Sequence, residues 1–327
     1  MEKVRWGILS TANIGTGKVI PAMQQAEHVA VNAIASRNAD RAREVADSLG
    51  IPTAHGSYEA LLDDPDIDAV YIPLPNHMHV EWSIKALEAG KHVLCEKPIG
   101  LSVAEAEQLR AAAQKFPKLK LMEAFMYRHH PQWVTAKRLV DEGGIGRLKM
   151  VQAVFAYNNT NPADIRNQAE AGGGGLMDIG CYPISVARHI FAAEPEGVAA
   201  HIEFDPQFRT DSYGSVILEF AKGAASFMYS TQLEPQQWVG ISGTEGRVEV
   251  MIPFNAPPDR PCIVTHTKAG KMRTIEIPTT DQYTVQGELM SQAILNDTPV
   301  PTPIDDAINN MRVIERAFTA AREKRWT

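Results

Sequence analysis

Cysteine is scarce. Cys95, Cys181 and Cys262 are the whole complement of a 327-residue chain. An odd number without metal-ligand spacing argues against a disulfide framework or a zinc site, and it suits a reducing cytosol where thiols stay free. Long apolar runs are lacking too. Stretches such as residues 69–74 fall far short of the roughly 20 residues that a membrane span needs. The opening Met1-Glu2-Lys3-Val4-Arg5-Trp6 leads straight into a strand, without the apolar segment of a signal peptide. These absences predict a cytoplasmic chain with no membrane partner. There is no excess of basic residues either. A net charge of −7 argues against a nucleic-acid partner, because phosphate backbones need a dense basic face. A small anionic ligand remains compatible, since local charge counts for more than the total. No internal repeat occurs, and no low-complexity tract beyond the glycines at 172–175.

What is present reads as an ordinary globular protein, 44% hydrophobic and 22% charged, long enough for two domains. The first part alternates short apolar strands with helical stretches. Strands are predicted at 4–10, 29–36, 53–55, 69–72, 92–95 and 120–123. Helices are predicted from 14–19 onward through Pro21, and at 39–49, 58–62, 77–89 and 102–116, the last opened by a Ser102/Glu105 capping box. Strands that are apolar throughout, separated by helices, indicate a parallel sheet covered on both faces. Six in this order predict a doubly wound Rossmann domain over 1–123.

After Glu123 the rhythm changes. A helix at 132–142 precedes a strand at 149–157, and a helix at 179–191 follows the glycines. Strands then recur at 201–204, 215–220, 225–231, 239–242, 247–250 and 274–277, with Ala221-Lys222-Gly223 as a hairpin turn. Helices at 284–296 and 305–324 finish the chain, the last one a candidate to pack back on the first domain. The prediction for 124–327 is an α+β domain with a mostly antiparallel open sheet, serving substrate binding and oligomerisation.

The first strand runs into Ser10-Thr11-Ala12-Asn13-Ile14-Gly15. A dinucleotide fingerprint would read G-x-G-x-x-G here. Ser10 and Ala12 replace the first two glycines, and both are small enough to let the backbone approach a pyrophosphate at a helix N-terminus. A tight turn without ligand is the competing reading. At the end of the second strand stand Ser36 and Arg37. An Asp or Glu there would bind the ribose 2′-hydroxyl of NAD. Ser36 and Arg37 can instead donate to a 2′-phosphate, so NADP is favoured over NAD. A solvated surface arginine is the plainer alternative.

Three further segments carry a family resemblance. They are Pro73-Leu74-Pro75-Asn76-His77-Met78-His79 after the fourth strand, Cys95-Glu96-Lys97-Pro98 after the fifth, and Gly172 through Asp178-Ile179-Gly180-Cys181-Tyr182-Pro183. Together they resemble the Gfo/Idh/MocA oxidoreductases over nearly the whole chain. Arg5-Trp6-Gly7-Ile8-Leu9, Ser57-Tyr58-Glu59-Ala60-Leu61-Leu62 and Glu123-Ala124-Phe125-Met126-Tyr127-Arg128 are similar to the branch of dimeric dihydrodiol dehydrogenase and NADP-dependent D-xylose dehydrogenase. So is Tyr182, where many members carry His. The resemblance implies a hydride transfer between NADP and a carbon bearing a hydroxyl or carbonyl, on a sugar or a trans-dihydrodiol. It also implies pairing of the second-domain sheets into a homodimer or tetramer.

Within that frame, cofactor contacts are expected from Ser10, Thr11, Ala12, Asn13, Ile14, Ser36, Arg37, Leu74, Pro75, Asn76, His79, Glu96 and Lys97. Alcohol oxidation releases a proton with the hydride. Tyr182 can take it if a cation lowers its pKa, and Lys97, presented past a strand end ahead of Pro98, is the natural cation. Asp178, four residues before Tyr182, would share a helical face with it and contact the substrate. The four glycines would let their loop pass close to a sugar or the nicotinamide. Tyr127, Arg128, Asp164 and Arg166 complete the candidate pocket for a polyhydroxylated small molecule. Each is more often a turn, cap or packing residue when met alone. His129-His130 are read as pocket or core residues, with no metal. Two competing functions are a non-catalytic NADP-binding sensor and a reductase of a nucleotide-linked keto sugar.

Overall fold

The computed structural model describes residues 2–324. The chain opens with β1 (Val4–Leu9), a π-helical turn at Gly15–Val19 and α1 (Ile20–Met23), with Pro21 in the first turn of α1. It continues through β2 (Val29–Ala35), α2 (Ala39–Leu49), β3 (Thr53–His55), α3 (Tyr58–Leu62), β4 (Ala69–Ile72), α4 (His79–Glu88), β5 (His92–Cys95), α5 (Val103–Ala113) and β6 (Leu121–Glu123). The six strands are parallel, in the order β3-β2-β1-β4-β5-β6. β4 is buried at every position, as a strand covered on both faces must be. Local sequence starts the helices. Asn38, Ser57 and Ser102 each accept an amide of the first turn, from Arg41, Ala60 and Glu105. The capping box of α5 closes one residue early, because Glu105 takes the N–H of Leu101 rather than that of Ser102. The expected helix at 77–89 is divided, a 3-10 turn at Asn76–Met78 leading into α4.

Beyond residue 126 come α6 (Pro131–Asp141), β7 (Leu148–Asn158), α7 (Cys181–Phe191), β8 (Gly197–Phe204), β9 (Asp211–Phe220), β10 (Gly223–Ser230), β11 (Gln232–Gly243), β12 (Gly246–Val250), β13 (Cys262–Lys268) and β14 (Lys271–Ile277). Their sheet runs β14-β13-β12-β11-β7-β10-β9-β8. Only β7 and β10 pair in parallel; the other neighbours are antiparallel. β13 was not predicted. It follows a Pro-rich stretch and reads Ile-Val-Thr-His-Thr, with Thr and His diluting the apolar signal.

α6 packs on β12 and β13, and α7 on β7, covering one face. β10 alternates cleanly, with Ala225, Phe227 and Tyr229 buried and Ser226 and Met228 half-buried on the other side. That second face also carries Tyr213 and Ile217 of β9 and Met150 of β7, all exposed.

The last two helices, α8 (Gln282–Leu295) and α9 (Ile304–Glu323), sort differently from the sequence rhythm. One compact unit is Met1–Met126 with Gln282–Ile308; the other is Tyr127–Asp281 with the residues from Asn309 on. The assignment of all of 124–327 to one domain thus changes, because α8 belongs to the first unit. Trp6 Nε1 donates to Ser291 Oγ at 3.0 Å, the His28 amide donates to Glu288 Oε2 at 2.9 Å, and Thr284 Oγ1 donates to the Ala22 carbonyl at 2.8 Å. Among the described residues no helix is long and apolar enough to cross a membrane.

Candidate active site

In the first unit the strand order reverses between β1 and β4, so the crevice beyond their carboxyl ends is where an open α/β sheet takes its ligand. The loop after β1 starts with Ser10 at φ 125°, a backbone region nearly reserved for glycine. Ser10 thus adopts the conformation of the fingerprint residue it replaces. Its hydroxyl accepts the Ala12 amide at 2.9 Å, which ties the loop across. Thr11, Ala12 and Ile14 are half-buried and Asn13 is exposed. At the end of β2, Ser36 Oγ accepts the Asn38 amide at 3.2 Å, while Arg37 is exposed. Burial pushes the Tyr58 phenol up against the opposing pull of the Arg37 charge, so it remains a neutral phenol. Sequence reading passed over Tyr58 because it lies on a helix far from both loops in the chain.

After β4, Leu74 is buried and Pro75 and Asn76 are half-buried. His79 is fully buried and lies on backbone carbonyls at both ring nitrogens, Nδ1 at 2.7 Å from Pro98 and Nε2 at 2.7 Å from Leu74. Burial lowers its pKa to about 4. It straps the loop after β4 to the loop after β5. Its ring nitrogens are engaged by protein rather than presented to a ribose. Glu96 is held from behind, its Oε1 accepting the buried Tyr71 hydroxyl at 2.7 Å and its Oε2 the Lys97 amide at 3.3 Å. The Lys97-Pro98 peptide is cis, and Lys97 itself is half-buried.

In the second unit Asp178 is the centre of a polar cluster. Its Oδ2 accepts the Tyr157 hydroxyl at 2.7 Å and faces Arg166 Nε at 3.2 Å. Arg166 also reaches Asp164 at 3.3 Å, and Asp164 in turn accepts the Arg166 amide and Asn159 Nδ2. Burial and the Asp178 charge push the Tyr157 phenol far above its usual range, so it serves as a donor. The structure therefore unites Asp164, Arg166 and Asp178, as the sequence suggested, and adds Tyr157. The alternation of β7 was its only signal.

Tyr182, on the first turn of α7, is 5% exposed and packs against Tyr127, Phe155 and Phe254, with ring centroids 5.2–5.7 Å apart. Asp178 lies in a π-helical turn, Leu176–Gly180, that leads into α7. Tyr127 is fully buried and donates to Ser185 Oγ at 2.8 Å, which makes it part of the aromatic core behind Tyr182. Arg128 pairs with His189 Nδ1 at 3.2 Å. His130 accepts the Gln132 amide and so caps α6. The space beside Gly174 and Gly175 is taken by the protein itself. A Cβ on Gly174, at φ 122°, would overlap Asp211 Oδ1, and one on Gly175 would lie 2.7 Å from the Tyr229 ring. These glycines admit Asp211 and Tyr229 where a sugar or nicotinamide was expected. A Glu27, His28 and Glu288 cluster brings its donor atoms within 4.8 Å of one another, but His28 and Glu288 bind each other.

A doubly wound sheet with a fingerprint loop, a cation after β2 and a lysine after β5 defines an oxidoreductase of the NAD-binding Rossmann class. The profile "Oxidoreductase family, NAD-binding Rossmann fold" matches residues 4–125, and the "GFO/IDH/MocA C-terminal domain" matches residues 133–249. The chain belongs to the Gfo/Idh/MocA family. It is 43% identical to the uncharacterized oxidoreductase ORF334 of Rhizobium meliloti, over 100% of this chain and 99% of the relative. It is 39% identical to D-xylose 1-dehydrogenase (NADP(+)) 2 of Haloferax volcanii, over 97% of each. Among solved structures it superposes on KijD10, a 3-ketoreductase from Actinomadura kijaniata in complex with NADP and TDP-benzene. The TM-score is 0.91 and the identity 32%, over 98% of both chains.

Proposed function

We propose that this chain is an NADP-dependent dehydrogenase of an aldose or a closely related polyhydroxylated ring. The observation that carries this reading is the match to D-xylose 1-dehydrogenase (NADP(+)) 2 along 97% of both chains. The donor set after β2 fits the cofactor. Ser36 and Arg37 offer a hydroxyl and a guanidinium where a carboxylate would repel the 2′-phosphate. The loop after β1, led by Ser10, would hold the pyrophosphate. When bound, the nicotinamide supplies the hydride acceptor. The protein handles the proton. Tyr182 accepts it from the substrate hydroxyl, and Lys97 is the second residue read as part of the proton relay. Asp178, held by Tyr157 and Arg166, orients the substrate by accepting from a ring hydroxyl.

The test is NADP reduction by the purified chain across aldoses, inositols and dihydrodiols. Lys97→Met should lower kcat by a factor of roughly 10² or more while NADPH binding survives. Near-normal turnover by the variant sinks the assignment. A second reading, reduction of a nucleotide-linked keto sugar, draws on the likeness to KijD10. It is tested by NADPH oxidation with a dTDP-linked 3-keto sugar.

The chain is further proposed to be cytoplasmic, since its three cysteines form no disulfide. It is also proposed to self-associate through the uncovered face of the second sheet.

A further inference from the structure

Asp211 opens β9 and is 2% exposed. Its Oδ2 takes two donors at once, the Leu176 amide at 2.6 Å and the Tyr229 hydroxyl of β10 at 2.7 Å. Burial raises its pKa to about 6, and the nearby charge of Asp178 pushes the same way. The surroundings are cut to fit this pair. Gly174 leaves room for Asp211 Oδ1, and Gly175, Gly180 and Gly214 all border the Tyr229 ring.

Leu176 is the first residue of the π-helical turn that carries Asp178, and Tyr182 follows at the start of α7. The Asp178 amide donates to the Gly174 carbonyl at 3.0 Å, inside the region that Asp211 holds. A side chain of the sheet therefore caps the segment that presents both residues. A neutral cap would satisfy the Leu176 amide without burying a carboxylate, which is costly. The charged acceptor makes short, strongly directional bonds.

We propose that Asp211, backed by Tyr229, is a positioning residue for the reaction, fixing the segment 176–182 so that Asp178 and Tyr182 meet the substrate in register. This rests on reading Asp178 and Tyr182 as working residues. It predicts an effect on the chemical step that leaves the cofactor alone, since the pair acts on the substrate-side segment.

Two variants test it in the full chain, Asp211→Asn, which keeps the volume and one acceptor, and Tyr229→Phe, which keeps the ring against its glycines. Kinetics would use NADP with whichever of D-xylose, D-glucose and trans-dihydrobenzenediol the wild type oxidises. In each variant kcat should fall roughly 10- to 100-fold, the range for an ångström-scale misplacement, with the Kd for NADPH unchanged. Hydrogen exchange should quicken at the amides of Leu176 and Asp178 while β9 and β10 stay protected. Wild-type kcat in both variants overturns the proposal. So does a kcat loss that disappears under conditions where global unfolding is suppressed, because the role is then only structural. Asp178→Asn and Tyr182→Phe run alongside. Full activity in those two would instead overturn the reading of the site, and the positioning role with it.

Discussion

Arg37 stands exposed where a sheet that selects the 2′-hydroxyl would carry an acid. Replacing Arg37 with Asp and Ser36 with Gly removes a charge-assisted contact and adds repulsion. NADP binding should weaken by roughly 3 kcal/mol, somewhat more than a hundredfold in Kd, while NAD binding changes little. Calorimetric titration of both cofactors decides it; equal losses mean that Arg37 does not meet the 2′-phosphate. Candidates of this kind can be named from the sequence because they stand directly after a predicted strand. Asp164 and Arg166 were read as polar residues for a hydroxylated ring and Asp178 from its motif, and the structure brings the three side chains together. His79 was read as a cofactor contact, and nothing in the linear chain shows that its two nitrogens meet carbonyls 5 residues before it and 19 after. Asp211 left no signal, since its partners are an amide 35 positions upstream and a phenol 18 positions downstream.

At the scale of elements, the loop after β1 shows how a departure from a motif can keep its shape. Ser10 holds the glycine-like φ and its hydroxyl accepts a hydrogen bond from the Ala12 amide. Ser10→Gly relieves a backbone strain of about 1–3 kcal/mol and loses a bond worth about 1 kcal/mol, so its unfolding midpoint should stay near wild type or rise. Ser10→Ala loses the bond and keeps the strain, so its midpoint in urea should be the lowest of the three. Matching midpoints for Ala and Gly would show that position 10 carries no such strain. The parallel strands were read within a residue of their bounds; β4 and β5 are apolar because they are buried, and only the edge strand β3, Thr-Ala-His, is half-buried throughout among the described strands of this sheet. The strands of the second sheet were read short. β11 spans Gln232–Gly243 but was predicted only at 239–242, because its pairing with β7 is interrupted between Gln232 and Gln236, where Pro235 stands and the side chains are exposed.

At the scale of the whole molecule, the second sheet leaves Tyr213, Ile217 and Met150 exposed beside half-buried Met228. Exposed apolar side chains gathered on one face mark an interaction surface, and two-fold pairing would make it self-complementary. Met228→Lys with Ile217→Lys places charge on it without touching Tyr229, whose ring lies in the core. Light scattering of the wild type should give a dimer or tetramer, and the double variant should move toward monomer. A wild-type monomer at tens of micromolar, roughly the range in which standard-sized interfaces already hold, ends the idea.

The contact between Trp6 and Ser291 joins positions 285 apart. A nascent chain that has reached β14 has already released every strand of the dinucleotide-binding sheet, yet α8 is still to come. Domains are normally finished in the order of synthesis, as each leaves the ribosome. Here the first unit waits for Gln282–Ile308 and the second for the residues from Asn309 on. Neither can be closed before the other's residues have been made. A ribosome stalled late in this message would therefore hold two unfinished cores rather than one finished domain and one unfinished one.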